Sequence, residues 1–335
     1  GPGTRLPLLI PLLSARRLAE IRPHDLGENC RAALRVRRLA GNLKEAKLYI
    51  QRARALATPE QTKRNFECAA MVELFPATEF WLQDDIEKAL AEAVRVEQTL
   101  ASRAGGEAAT FAVFTGLVYQ DLGRLRKAEA LFGYEPNRAF RHWHMANLAL
   151  DRRDQSAFEK HAREMCLSPG GTQWLGAAIF CARAGLSAEA EASMRWHENR
   201  PAIGVLRGEL ALARGQRTEA EAWLRKAFEA TRALHRTDFV YAVDSFARAL
   251  EERGEWEAAL QVLEEGTRRK EKIALILGAR QWINWESRRA QVLRKLGRNA
   301  EARPIEAELR RLLAYADPDH PLLAQLNQGE RTATQ

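Results

Sequence analysis

Side chains able to do chemistry are common in this chain of 335 residues, but few stand at the spacings that chemistry needs. Its histidines are His24, His142, His144, His161, His197, His235 and His320. Only His142 and His144 are near neighbours, one on each side of Trp143. Two residues apart on a helix, their rings point away from each other and cannot share a metal ion. Carboxylate pairs such as Asp84/Asp85, Glu251/Glu252 and Glu264/Glu265 read as solvated helix faces, with nothing beside them to raise one pKa for general acid catalysis. The four cysteines, Cys30, Cys68, Cys166 and Cys181, form no CxxC pair and no zinc spacing, so buried unpaired thiols are expected. The sequence contains no phosphate loop, no GxGxxG after a strand, no GxSxG, no HExxH and no kinase signature. A non-catalytic protein with no cofactor and no metal is the expectation.

Charge gives a second lead. Fifty-two Lys and Arg stand against 44 Asp and Glu, for a net charge of +8, and arginine far outnumbers lysine. An excess of guanidinium forks suits an anionic partner. Glu and Asp nevertheless alternate with Arg through the same segments, so most of this charge reads as solvated helix surface. Nucleic acid fits poorly for the same reason, since no dense basic tract appears. Of the tryptophans, Trp81, Trp174, Trp223 and Trp256 are expected to fill gaps between helices. Trp143, Trp282 and Trp285 are harder to place, and Trp143 is a candidate for stacking on a ligand.

The elements that must position these groups are helical. Ala, Leu, Glu and Arg dominate the composition, whereas Val, Ile and Thr are sparse. A phrase recurs from Ala40, Leu122, Arg152, Ala184, Arg214, Arg253 and Leu296, with turn residues Gly41, Gly123, Arg153, Gly185, Gly215, Gly254 and Gly297. Repeats of this period indicate a solenoid, which escapes the size limit of a single core because each unit packs on its neighbours. Five residues after the turn comes Ala (Ala46, Ala128, Ala190, Ala220, Ala259, Ala302), small enough for two helices to approach closely. Ile50, Phe132, Met194, Leu224 and Leu263 continue that face, and Gly116, Ala178, Gly208, Ala247 and Ala290 offer small contact points on the preceding helix. Between Gly41 and Gly123 a degenerate unit is expected from Phe66–Phe75 and Asp84–Leu100, connected through Pro76.

This arrangement resembles the tetratricopeptide repeat. Gly116-Tyr119-Gly123-Ala128, Trp174-Ala178-Gly185-Ala190 and Gly208-Gly215-Ala220-Ala227 carry the likeness, which runs from about residue 26 to 312. Arg37, Arg207 and Arg289 depart from it, standing where the repeat prefers apolar residues. The closing phrase Leu309–Leu323, with Ala316-Asp317-Pro318-Asp319 and Pro321-Leu322, looks like the tail of such regions in bacterial multidomain signalling proteins, where a Ser/Thr kinase or a winged-helix domain precedes the repeats. The resemblance implies an all-α, right-handed superhelix of about eight helix pairs that binds a protein or peptide. The expected layout is a lead-in over 1–25, a solenoid over 26–315 and a C-terminal cap with polar tail over 316–335.

Solenoids bind along the inner surface, where first-helix side chains align. The repeat register projects Arg31, Arg35 and Arg38 onto that surface near the start, Trp143, Asn147, Leu175 and Ile179 in the middle, then Tyr241, Asp244 and Arg248, and finally Asn284, Arg288, Gln291 and Arg294. A groove apolar at its centre and basic at both ends suits a peptide of acidic character, its carboxylates gripped by Arg forks. A small molecule held in the same groove is the alternative. Gly1-Pro2-Gly3 reads as the remnant of a cleaved tag, and Leu6–Leu13 (LPLLIPLL) is far short of the roughly 20 residues that cross a bilayer. The compartment stays open, with a lean to the cytoplasm, or outside it if a membrane segment precedes the fragment.

Overall fold

A computed structural model of the chain describes residues 66–232, 237–268 and 270–333, together with Lys47, Ile50, Gln51 and Ala55. The expectations for Arg31, Arg35, Arg37, Arg38, Gly41, Ala46 and the apolar lead-in fall outside these residues.

Among the described residues the chain is all helical. Seven hairpins follow one another: α1 (Phe66–Leu82) with α2 (Ile86–Gln98), α3 (Gly105–Asp121) with α4 (Leu125–Phe132), α5 (Arg138–Asp151) with α6 (Gln155–Cys166), α7 (Leu175–Arg183) with α8 (Ser187–Ser193), α9 (Ile203–Ala213) with α10 (Arg217–Arg232), α11 (Thr237–Glu252) with α12 (Trp256–Thr267), and α14 (Ala279–Lys295) with α15 (Asn299–Leu312). A short helix, α13 (Lys270–Leu277), is inserted before the last pair, and α16 (Pro321–Ala333) ends the fold. The result is a tetratricopeptide-like helical solenoid. No described helix is long and apolar enough to cross a membrane.

One turn geometry makes all seven hairpins. Asp84, Gly123, Arg153, Gly185, Gly215, Gly254 and Gly297 have positive φ, between 57° and 77°. The next residue's N–H then reaches back to a first-helix carbonyl, as in Arg124 to Tyr119 (2.8 Å), Asp154 to Ala149 (2.9 Å) and Glu255 to Leu250 (2.9 Å). This bond satisfies an orphan carbonyl and reverses the chain. The first described hairpin shows it too, from Asp85 to Phe80 at 2.9 Å. Its turn therefore lies at Asp84, and Pro76, expected in a connection, sits inside α1. Continued burial on both sides of it, from Met71 and Leu74 to Ala77 and Trp81, holds the helix together despite the lost hydrogen bond.

Packing follows the small-to-large register. Ala128, Ala190, Ala220, Ala259 and Ala302 are fully buried. A Cβ added at Gly116 would lie 2.8 Å from the Phe132 ring, and one at Gly208 would lie 2.5 Å from Leu224 Cγ, so the absent side chains let each pair of helices close. The departures find partners: Arg207 stacks 4.6 Å over Trp223, and Arg289 pairs with Glu286 (3.3 Å). Cysteine usage is corrected. Cys166 and Cys181 are joined in a disulfide across the α6–α7 connection, with Cα atoms 5.9 Å apart. Cys68 is also disulfide-bonded, and no described cysteine is free. The connection returns the chain beside itself, bringing together thiols that linear spacing left apart.

The solenoid closes on itself. Lys270 of α13 lies over both Trp81 of α1 (5.1 Å) and Trp282 of α14 (4.7 Å), and its ammonium bonds Asp84 (3.1 Å) and Glu308 (2.9 Å). The Asp317 N–H donates to Gly123 O (3.0 Å), while the Asp317 carboxylate accepts the Arg126 N–H (2.9 Å) at the start of α4. The stretch read as a polar tail after Gln325 continues α16, which Pro321 opens from a first-turn position that needs no N–H.

Candidate functional site

Closure leaves a central cavity of about 650 Å³, partly open to solvent and lined by the first helices of six of the seven pairs. One wall is apolar, built by Met71, Leu74 and Phe75 of α1 and Phe114, Leu117 and Val118 of α3. The facing wall is polar: Asp244, Arg248 and Glu251 of α11, with Asn284, Arg288 and Gln291 of α14. Trp143 and Ile179 lie between them.

Nine of the projected residues line this cavity: Trp143, Asn147, Ile179, Tyr241, Asp244, Arg248, Asn284, Arg288 and Gln291. Leu175 is instead buried in the core, and Arg294 turns outward to pair with Glu306 (2.7 Å). Arg31, Arg35 and Arg38 lie outside the described residues. Trp143 both packs and faces the cavity. It stacks on Phe180 at 4.6 Å and meets Trp174 edge-on at 6.2 Å. Gly176, where a Cβ would lie 2.6 Å from the Trp143 ring, allows that approach.

The arginines are not the open forks expected. Arg183 bonds Glu209 (2.9 Å) and Asp244 (2.9 Å), Arg248 bonds Glu209 (2.5 Å) and Glu252 (2.7 Å), and Arg288 bonds Asp244 (3.0 Å) and Glu251 (3.0 Å). Burial alone would raise the Asp244 carboxyl, but Arg183 and Arg288 outweigh it and hold it at about 2. The Glu209 carboxyl is likewise held low by Arg183 and Arg248 against the effect of burial. The polar wall is therefore a charge-compensated network presenting mixed donors and acceptors, not a basic patch.

A second network ties the last pair to the second and third. Asp121, at the end of α3, accepts the backbone N–H of Arg280 (2.9 Å) and caps the start of α14 from across the ring. Gly278 permits this, because a Cβ there would lie 2.6 Å from the carboxylate. Arg280 then reaches Asp151 (2.9 Å) and Asn147, and Asn284 also bonds Asp151 (3.0 Å). Burial pushes the Asp121 carboxyl up to about 6, against the pull of the amides and of Arg280. His144 is stacked on Phe132 at 4.7 Å, and burial pushes its imidazole down to about 4, so it is neutral at pH 7.

Sequence reasoning missed Asp121, Asp151, Arg183 and Arg280. Asp151 and Arg183 were within reach, since Trp143, Asn147 and Asp151 repeat at four-residue steps on one helix face, as do Leu175, Ile179 and Arg183. Asp121 and Arg280 had no such signal, because they meet only through ring closure. No described cluster of three or more His, Cys, Asp or Glu is placed to hold a metal. His142 and His161 do meet across α5 and α6, with Nδ1 atoms 3.0 Å apart. No nucleophile–base–orienter set stands on the cavity wall.

No protein-family model matches the chain, and no curated protein matches it. Solved structures do, among them a Rap protein complexed with competence and sporulation factor. It is 13% identical, with 90% of this chain and 99% of that chain covered, at a TM-score of 0.43. At that distance the likeness bears on neither partner nor mechanism.

Proposed function

We propose that this chain is a non-catalytic binding domain, of a regulatory or scaffolding kind, that takes a short peptide segment into its central cavity. One observation carries the reading: a partly open cavity of about 650 Å³ lies between an apolar wall and a hydrogen-bonding wall. That volume lies within the range of sites that engulf a compact ligand, and mixed walls of this kind fix orientation while burial supplies affinity. Backbone amides and carbonyls of a peptide match the alternating donors and acceptors of Asn284, Arg288 and Gln291, and an apolar side chain fits the α1–α3 wall.

The internal pairing of Arg248 and Arg288 moves the reading away from a strongly acidic, extended partner. The volume of about 650 Å³ favours a compact occupant, so a small organic molecule of the same two-sided character is the second reading. A regulatory role in a bacterial signalling protein rests on the resemblance of the closing phrase alone.

Affinity selection tests this. Immobilised protein is exposed to pooled peptides of roughly five residues and, separately, to a metabolite mixture, and retained species are identified by mass. Peptide retention that Trp143→Ala weakens about tenfold supports the reading. Retention only of metabolites supports the second reading, and retention indifferent to Trp143 and Ile179 substitutions sinks both.

A further inference from the structure

Five arginines line the cavity, and four are already neutralised. Arg183, Arg248, Arg280 and Arg288 each bond at least one carboxylate of the chain. Arg153 does not: its guanidinium donates to the neutral side-chain amide of Gln325 in α16, and no described carboxylate pairs with it. The residue is solvent-exposed at the cavity rim, and partial desolvation by its surroundings lowers its pKa.

The backbone under Arg153 is unusual as well. Its φ of 57° puts it in the left-handed region, at the turn position that five other hairpins give to glycine. A long side chain there costs stability that glycine would not, and such strain collects at functional sites. Asp84 is the other non-glycine residue in this position, at φ 62°, and its carboxylate anchors Lys270 and Arg311 across the ring. Where the fold accepts the strained residue, that side chain has work to do. For Arg153 no in-chain counter-ion accounts for it.

We infer that Arg153 is the anion-recognition residue of the cavity and takes the C-terminal carboxylate of the bound peptide. This rests on the reading of the cavity as a peptide site. A terminal carboxylate replaces the Gln325 amide as partner and forms a charge-assisted pair with the one cavity arginine among the described residues that bonds no carboxylate of the chain. The apolar wall of α1 and α3 then receives the side chains that precede the terminus.

The test uses pooled peptides of roughly five residues in matched free-acid and C-amide forms, applied to the whole chain. Wild-type protein is expected to hold the acids about tenfold more tightly than the amides. Arg153→Gly is expected to abolish that difference, leaving acids at the amide level, with a melting temperature equal to or above wild type because the turn is relieved. Arg153→Lys keeps part of the preference. Equal retention of acids and amides by wild type overturns the assignment while leaving the cavity reading intact. Retention of neither form overturns both. Arg153→Gly that melts lower and loses acids and amides alike marks a structural residue, and the assignment fails.

Discussion

Two carboxylates on the same cavity show how far surroundings, not residue type, set behaviour. Asp244 is held at about 2 by Arg183 and Arg288 despite burial, whereas burial lifts Asp121 to about 6 although Arg280 is beside it. Their linkage to stability has opposite signs. Asp121 binds a proton in the folded chain over a range, roughly pH 4 to 6, in which the unfolded chain has released it. Its contribution to stability therefore grows as pH falls through 6 toward 4. Asp244 stays ionised in the folded chain, so its contribution is complete above about pH 4 and is lost as pH falls toward 2. Asp121→Asn keeps the oxygen that caps α14 and removes the charge. It is expected to be at least as stable as wild type at pH 7 and to flatten the slope between pH 4 and 6, measured by urea unfolding across that range. At this scale the sequence disclosed the cavity-facing identities of Trp143, Asn147 and Asp244 through helical spacing. It did not disclose which arginines carry their own counter-ions, because Glu209 and Asp244 lie 26 and 61 residues from Arg183 and meet it only through the superhelix.

The helix hairpin is the element that the repeat phrase encodes most directly. Its turn residue, its buried Ala and its small-to-large contact all recur where spacing placed them, because each depends on residues within one hairpin. Gly208 is the sharpest case: Leu224 occupies the space that a side chain there would need. Gly208→Val is expected to destabilise the chain by about 1–3 kcal/mol through overpacking, read as a lower urea midpoint with helical content retained. Elements whose form depends on longer contacts were less legible. Pro76 lies within α1 because burial outweighs one missing hydrogen bond, and Cys166 and Cys181 pair because an irregular connection folds back beside α7. The pairing has a chemical consequence. Alkylation of the unfolded chain without reductant is expected to leave Cys68, Cys166 and Cys181 unmodified, with labelling appearing after reduction, as mass spectrometry of digests would show. Such bonds persist in oxidising surroundings, which argues against the lean to the cytoplasm. Labelling of Cys166 and Cys181 without reductant would remove that argument.

At the scale of the whole molecule the decisive fact is closure, and closure is the part that repeat reasoning could not supply. A repeat array specifies each neighbour interface, and whether its two ends meet depends on the summed rotation of many hairpins and on insertions such as α13. The junction is held by few contacts, and Lys270 is at its centre, over two tryptophans and between Asp84 and Glu308. Reversing its charge places three carboxylates together beside two ring faces that repel anions. Solenoid units take their stability from adjacent units, so the hairpins themselves need not unfold when the ends part. Lys270→Glu is therefore expected to keep the circular dichroism of a helical protein while raising the radius of gyration in small-angle scattering. The same variant should lose peptide retention, since parting the ends withdraws the α14 wall from the α1–α3 wall and no wall residue has been changed. An unchanged radius with unchanged retention would mean that the Asp121 and Asp317 caps close the ring without Lys270. An enlarged radius with full retention would mean that the occupant needs only one wall, and the two-walled cavity would lose its place in the argument for function.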